Sequence, residues 1–203
     1  MKVAVLGAGK IGGTLAKKWG AAGHQVAIGV RDPAKAEVQS LLKEIGSNAR
    51  ATSIAESVGD ADAVLFAVPG AAVPETAEAV GKALAGKVVI DATNNRGGAG
   101  GGFNNVDKIS AAAPDAHVYR AFNTYGWENL ENAAFGNEQA DQIYAGPEGE
   151  SQAVVEQLIS SAGLHPVRLG GVDQAAVVDS IVLLWFALAG AKGSRHVALK
   201  VLG

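Results

Sequence analysis

The chain has 203 residues, 48% hydrophobic and 18% charged, a balance that excludes intrinsic disorder and allows a sizeable core. Its 17 basic and 20 acidic side chains leave a formal charge of −3, so there is no broad basic face for nucleic acid. Cysteine is absent, which removes disulfides, thiolate metal sites and cysteine nucleophiles and fits a cytoplasmic protein.

Residues 2–6 are mostly apolar and predict a strand that runs into Gly7-x-Gly9-x-x-Gly12. A helix to residue 22, a turn at Gly23-His24 and a second strand over 25–29 follow. In that context each glycine has a physical role. Gly7 makes the tight turn, Gly9 lets backbone approach a pyrophosphate, and Gly12 lets the helix pack closely on the sheet. The N–H groups of the first helical turn then face the anion, so Gly7, Ala8, Gly9, Lys10, Ile11 and Gly12 are the expected pyrophosphate site. Trp19 is expected beneath the sheet, not on a ligand.

The end of the second strand decides which dinucleotide fits. An acid there would bind a ribose 2′-hydroxyl, whereas an Arg accommodates a 2′-phosphate. The chain reads Gly29-Val30-Arg31-Asp32-Pro33, with Lys35 beyond. Gly29 removes the side chain where an acid would stand, Arg31 offers a planar fork and Lys35 a point charge. NADP is therefore the expected cofactor, with Asp32 as the competing acid of an NAD reading. A helix is expected over residues 33–46, with Asp32 as N-cap and Pro33 at its first position.

A short strand of little core weight is expected near residues 48–53, then a brief helix over 54–59. Residues 61–68 form a near-continuous apolar strand stopped by Pro69-Gly70. A helix over 72–84 leads to a strand over 87–92. This alternation implies an α/β, Rossmann-like, doubly wound parallel sheet, with ligands beyond the carboxyl ends of its strands. Ala67, Val68, Pro69 and Asn94 then border the nicotinamide, and residues 93–102 form a long loop that could close over a substrate. A helix over 106–113 and a strand over 116–123 complete this part, and Asn123 at that exit is expected to touch the cofactor. Thr124-Tyr125-Gly126-Trp127-Glu128-Asn129 clusters aromatic and amide side chains just past that strand. They either line the nicotinamide pocket or pack a join.

From there the texture changes. Strands over 141–146 and 166–169, a helix over 151–162 and an apolar helix over 172–188 predict a small C-terminal α/β lobe that extends the sheet or docks against it. The expected division is residues 1–135 for the cofactor and 136–203 for the second substrate and dimer contacts. The apolar helix carries Asp173, Gln174 and Asp179, so a buried helix is expected there and no membrane span. It offers more apolar surface than a small lobe covers, which predicts a homodimer. A last helical piece over 194–201 would carry Arg195 and His196.

Taken together, the chain resembles the coenzyme F420-dependent NADP oxidoreductase family. The resemblance rests on Gly7-Ala8-Gly9-Lys10-Ile11-Gly12, Gly29-Val30-Arg31 with Lys35, Ala67-Val68-Pro69, Asp91-Ala92-Thr93-Asn94 and Arg120-Ala121-Phe122-Asn123. It implies hydride exchange between NADPH and a deazaflavin, with F420 as the second substrate and no proton relay at the reacting carbon. The family's 2′-phosphate clasp is a Ser followed by Arg, with a Lys shortly after. Arg31 and Lys35 match it, while Val30 stands in the hydroxyl's place. The family's Asn-Pro after the fifth strand is Asn94-Asn95 here.

Two other readings stay open on the residues alone. One is a reductase of another small acceptor, such as a flavin, quinone, ferric complex or imine. An imine or carbonyl needs a proton, for which Tyr125 and His196 are candidates beside Asn94. The other is an NADP-binding regulatory protein without turnover.

Overall fold

The computed structural model describes residues 1–95 and 103–202. The loop expected to close over a substrate therefore lies, from residue 96 to 102, outside the described residues. The opening segment forms as its pattern dictates: β1 (Lys2–Leu6), α1 (Lys10–Ala21) and β2 (Gln25–Gly29). β1 is buried from Val3 to Leu6, as a strand covered on both faces must be. Four further strands follow in alternation with helices: β3 (Ala49–Thr52), β4 (Ala63–Phe66), β5 (Val88–Asp91) and β6 (His117–Arg120). Between them lie α2 (Ala36–Ile45), α3 (Ile54–Ser57), α4 (Val73–Val80) and α5 (Val106–Ala112).

Beyond β6 come α6 (Trp127–Glu131), a small hairpin of β7 (Ala134–Phe135) and β8 (Glu138–Gln139), then β9 (Asp141–Ala145), α7 (Glu150–Ser161), β10 (His165–Gly170) and α8 (Ala175–Lys192). The strand order is β10-β9-β6-β5-β4-β1-β2-β3. Its run from β3 to β6 is the doubly wound order, with the chain reversing direction across the sheet between β1 and β4. Ligands of such sheets bind at that crevice. β3 is the edge strand, half-buried, and carries little core.

The C-terminal strands take the first of the two arrangements open to them: they lengthen this sheet. β9 meets β6 antiparallel through the single pair Arg120 and Ala145, and β10 runs parallel to β9. The sheet is therefore parallel from β3 to β6 and mixed at this edge. α7 packs beside α1, with the Trp19 indole N–H donating to the Leu158 carbonyl at 2.9 Å. Trp19 is fully buried, edge-on to Phe122 at 5.8 Å.

Two expectations fail for local reasons. α2 begins at Ala36, not residue 33, because Asp32 uses Oδ1 to accept from the Ala34 N–H at 3.0 Å. That side-chain turn competes with helix and wins before Pro33 can start one. The tail over 194–201 is not helical. It runs as a strap whose hydrogen bonds go to β9: Asp141 N–H donates to the Leu199 carbonyl at 3.1 Å, and Val201 N–H donates to Asp141 Oδ2 at 2.6 Å.

The segment Val172–Lys192 is long and apolar enough, by length and composition, to cross a membrane. Its inner face belongs to the core, with Asp179 5% and Trp185 1% exposed. Val177, Leu183 and Leu184 on other faces are about half exposed.

Candidate functional site at the carboxyl edge of the sheet

The exits of β1, β2, β4, β5 and β6 converge on one edge. Gly7 adopts φ +105°, and a Cβ there would stand 2.7 Å from the Ala67 carbonyl oxygen. Gly12 is equally confined: a Cβ would overlap the Gly7 carbonyl and meet the Ala67 Cβ at 3.1 Å. Gly9 differs, since a Cβ there would meet nothing within 4 Å. The space above Gly9, at the N-terminus of the 12-residue α1, is an open cradle of backbone N–H groups. The glycine turn thus divides into two positions closed by packing and one that faces open space.

At the β2 exit, Gly29 is required by packing. A Cβ there would overlap the Ser57 hydroxyl and stand 2.9 Å from Leu6 Cδ2. The idea that it clears an acid's place beside a ribose is replaced by this one. Val30 is half-buried against the core. Arg31 is exposed and has no ion pair among the described residues, whereas Lys35 pairs with Glu37 at 3.5 Å. Asp32, the competing acid, serves the turn described above.

The β5 exit is wired from beneath. Asp91 Oδ1 accepts from Thr93 N–H and its hydroxyl, and Oδ2 accepts from Asn105 N–H at 2.7 Å. Arg120, at the end of β6 and fully buried, donates to the Asp91 carbonyl at 3.0 Å and the Thr93 carbonyl at 2.6 Å. It also donates to Asn94 Oδ1 at 2.8 Å and, from Nε, to Asp179 Oδ1 of α8 at 2.8 Å. Two carboxylates thus flank one guanidinium, and every donor direction of Arg120 ends on an acceptor. A buried charge is tolerated only when paired and hydrogen-bonded in this way. Asn94 also donates from its amide to the Asn123 carbonyl at 3.3 Å and is half-buried. Gly70 lies against this turn, since a Cβ on it would overlap the Asn95 side chain. That contact brings the Ala67-Val68-Pro69 exit beside Asn94.

Asn123 was expected to touch the cofactor directly. Its side chain is buried and turned inward, donating to Asp179 Oδ1 at 3.1 Å, so it seats Asn94 through its main-chain carbonyl. Phe122 before it has φ 60°, the positive-φ non-glycine residue among those described, and the chain reverses there.

Tyr125 as a proton donor is also revised. Its hydroxyl donates to the Asp141 carbonyl at 2.7 Å and accepts from Leu199 N–H at 3.2 Å. Burial pushes its pKa up to about 12. We expect Tyr125→Phe to lower stability by about 1–2 kcal/mol in denaturant titration, through the orphaned tail N–H, with an unchanged rate of NADPH oxidation. The raised pKa adds a pH signature. The neutral hydroxyl's contribution is intact below pH 10 and is lost as pH climbs toward about 12, and Tyr125→Phe removes that share of the alkaline decline.

His196 stacks on Phe135 at 4.1 Å and its Nε2–H donates to the Asn132 carbonyl at 3.0 Å. It belongs to the hairpin and strap, and among the described residues no contact joins it to Asn94 or the glycine turn. Phe122, Tyr125 and Trp185 are buried and present no ring to a ligand at this edge. Trp127 is half-buried, and the Lys10 ammonium lies 4.5 Å from its ring centroid, beside the cradle. Burial opposes the charge on Glu128 next to it, but the hydrogen bond from Arg195, its own backbone N–H and the charges of Arg195 and Lys10 together outweigh that and hold its carboxyl below the usual range. No group of His, Asp and Glu with the spacing of a metal site occurs among the described residues.

The sequence profile described as NADP oxidoreductase, coenzyme F420-dependent, matches residues 2–95, which is the part holding every glycine and cation of the cradle. The F420-dependent NADP reductase of Methanothermobacter marburgensis is 27% identical over 99% of this chain and 98% of its own length. A solved structure from Arthrobacter sp. FB24, assigned as an F420-dependent NADP-reductase, superposes with a TM-score of 0.86, at 27% identity and over the whole of both chains. The imine reductase of Streptomyces aurantiacus, at 15% identity and a TM-score of 0.70, covers 95% of this chain and 64% of its own, and shares the fold alone.

Proposed function

We propose that this chain is a member of the coenzyme F420-dependent NADP oxidoreductase family and passes hydride between NADPH and a deazaflavin or flavin-type acceptor, F420 first among them. It is a Rossmann-fold, NADPH-dependent oxidoreductase. The observation that carries the cofactor half is the open cradle over Gly9, flanked by Arg31, which is exposed and has no ion pair among the described residues. Gly7, Ala8, Gly9, Lys10, Ile11 and Gly12 hold the pyrophosphate, Arg31 with Lys35 takes the 2′-phosphate beside Val30, and Ala67, Val68, Pro69 and Asn94 border the nicotinamide. When bound, the nicotinamide supplies the hydride from its C4 carbon.

The residues of the chain then have three tasks: to orient the ring against the β4 and β5 exits, to hold the two phosphate groups, and to keep water from the reacting face. Neither proton-donor candidate is free in the cleft, which favours an acceptor that takes hydride at carbon without a protein acid. Oxidation of NADPH followed at 340 nm with F420, free flavin and a cyclic imine in parallel tests this. Turnover with F420 or flavin and none with the imine supports the reading, and turnover with the imine alone overturns it.

The cofactor region, residues 1–135, supplies the cradle, and residues 136–203 supply the second-substrate side and the subunit contact. We assign the exposed Val177, Leu183 and Leu184 of α8 to a homodimer interface. Sedimentation as a monomer at micromolar concentration would overturn that assignment.

A further inference from the structure

We infer that Arg120 and Asp179 are positioning residues for hydride transfer, with α8 holding the Asn94 amide in the orientation that seats the nicotinamide. The inference rests on the cofactor reading above and deepens it. Asn94 stands on a turn with no secondary structure of its own, at a strand exit, and its amide has two internal contacts. Oδ1 accepts from Arg120 and Nδ2 donates to the Asn123 carbonyl. An amide has two donor hydrogens, so one N–H of Nδ2 is left over, on a half-buried side chain at the cleft.

Arg120 is what fixes which end of that amide is which, because a guanidinium can only donate and so selects the oxygen. Arg120 is in turn held by Asp179, whose Oδ1 also accepts from Asn123 and whose Oδ2 accepts from Asn104 at 2.6 Å. One carboxylate on α8 therefore sets both partners of the Asn94 amide. Asp91 supports the same turn from below but touches neither end of that amide. Asp91, Arg120 and Asp179 together form a buried triad.

The test is a titration of NADPH into the full-length wild type, Asn94→Ala, Asp179→Asn and the double variant. Three quantities are read: Kd, the dihydronicotinamide emission at saturation, and the single-turnover rate of NADPH oxidation with whichever acceptor the wild type turns over. Each single variant is expected to keep Kd within about threefold while emission falls toward that of free NADPH and the rate drops about tenfold or more. The double variant is expected to be no worse than either single one, because both act through one amide. Additive losses in the double variant overturn the inference, as does an Asp179→Asn protein with wild-type emission and rate. Should Asp179→Asn fail to fold, Asn94→Ala decides alone: its triad is intact, and unchanged emission and rate overturn the inference. A wild type that binds no NADPH would instead overturn the cofactor reading.

Discussion

Replacing Arg31 with alanine is expected to raise the Kd for NADPH by roughly 10- to 100-fold and to leave that for NADH within about twofold. The magnitude follows from what the guanidinium alone supplies. A charge-assisted hydrogen bond contributes about 1.5–3 kcal/mol, and each 1.4 kcal/mol is about tenfold in Kd. Arg31 is exposed and carries no ion pair among the described residues, so its removal leaves no buried partner behind there and the loss falls on the ligand. Lys35 is a weaker substitute, since it is exposed and shares its charge with Glu37 at 3.5 Å. Val30 contributes no hydroxyl. The discrimination should shrink as salt is raised, because the contact is at the surface. Titration of both reduced cofactors measures it, and equal losses for the two would show that Arg31 does not read the phosphate.

Gly12→Ala is expected to act on the fold and the cofactor together. Its single methyl would overlap the Gly7 carbonyl while Val5 Cγ1, at 3.2 Å, and the Ala67 Cβ close the other sides. Backbone cannot yield as a long side chain can, so α1 must lift from β1. Overpacking of this kind costs about 1–3 kcal/mol or more. Lifting α1 also moves the N–H groups of the cradle, so NADPH binding should weaken more than about 100-fold at a temperature where the variant is still folded. Gly9→Ala is the control, for the space above it is open in the protein alone. That variant should keep its thermal midpoint and lose cofactor affinity. A Gly12→Ala protein with normal melting and normal affinity would contradict the close approach of α1 to the β4 exit.

The cradle was legible in the sequence because its information is local. The strand, glycine turn, helix and second strand lie within thirty residues, and their boundaries follow from hydrophobic period and turn chemistry. The start of α2 was misread where two local rules competed: Asp32 can cap a helix or close a turn, and Pro33 permits both. The tail was misread for a different reason. Its apolar spacing suits a helix, but its partners Tyr125 and Asp141 are far away in the chain and claim its backbone groups first. The same distance hid the Arg120 triad. Arg120 ends an otherwise buried strand and Asp179 interrupts an apolar helix, and two isolated opposite charges of that kind need one another. That signal was present in both segments, but no period or spacing rule joins them.

The position of Asp179 late in the chain has a consequence for biosynthesis. All the strands that form the cradle, and Arg120 itself, leave the ribosome before α8 is made. At about 5–20 residues per second the guanidinium waits several seconds for its second carboxylate. During that interval Arg120 has Asp91 and the Asn94 amide beside it but lacks the Asp179 carboxylate that holds its Nε. The nascent cradle can take shape early, while the hydrogen-bond network under Asn94 is completed only when the last helix docks. Premature termination after β6 would therefore release a chain with a buried cation half matched and an uncovered sheet edge, a substrate for degradation and not a smaller working enzyme.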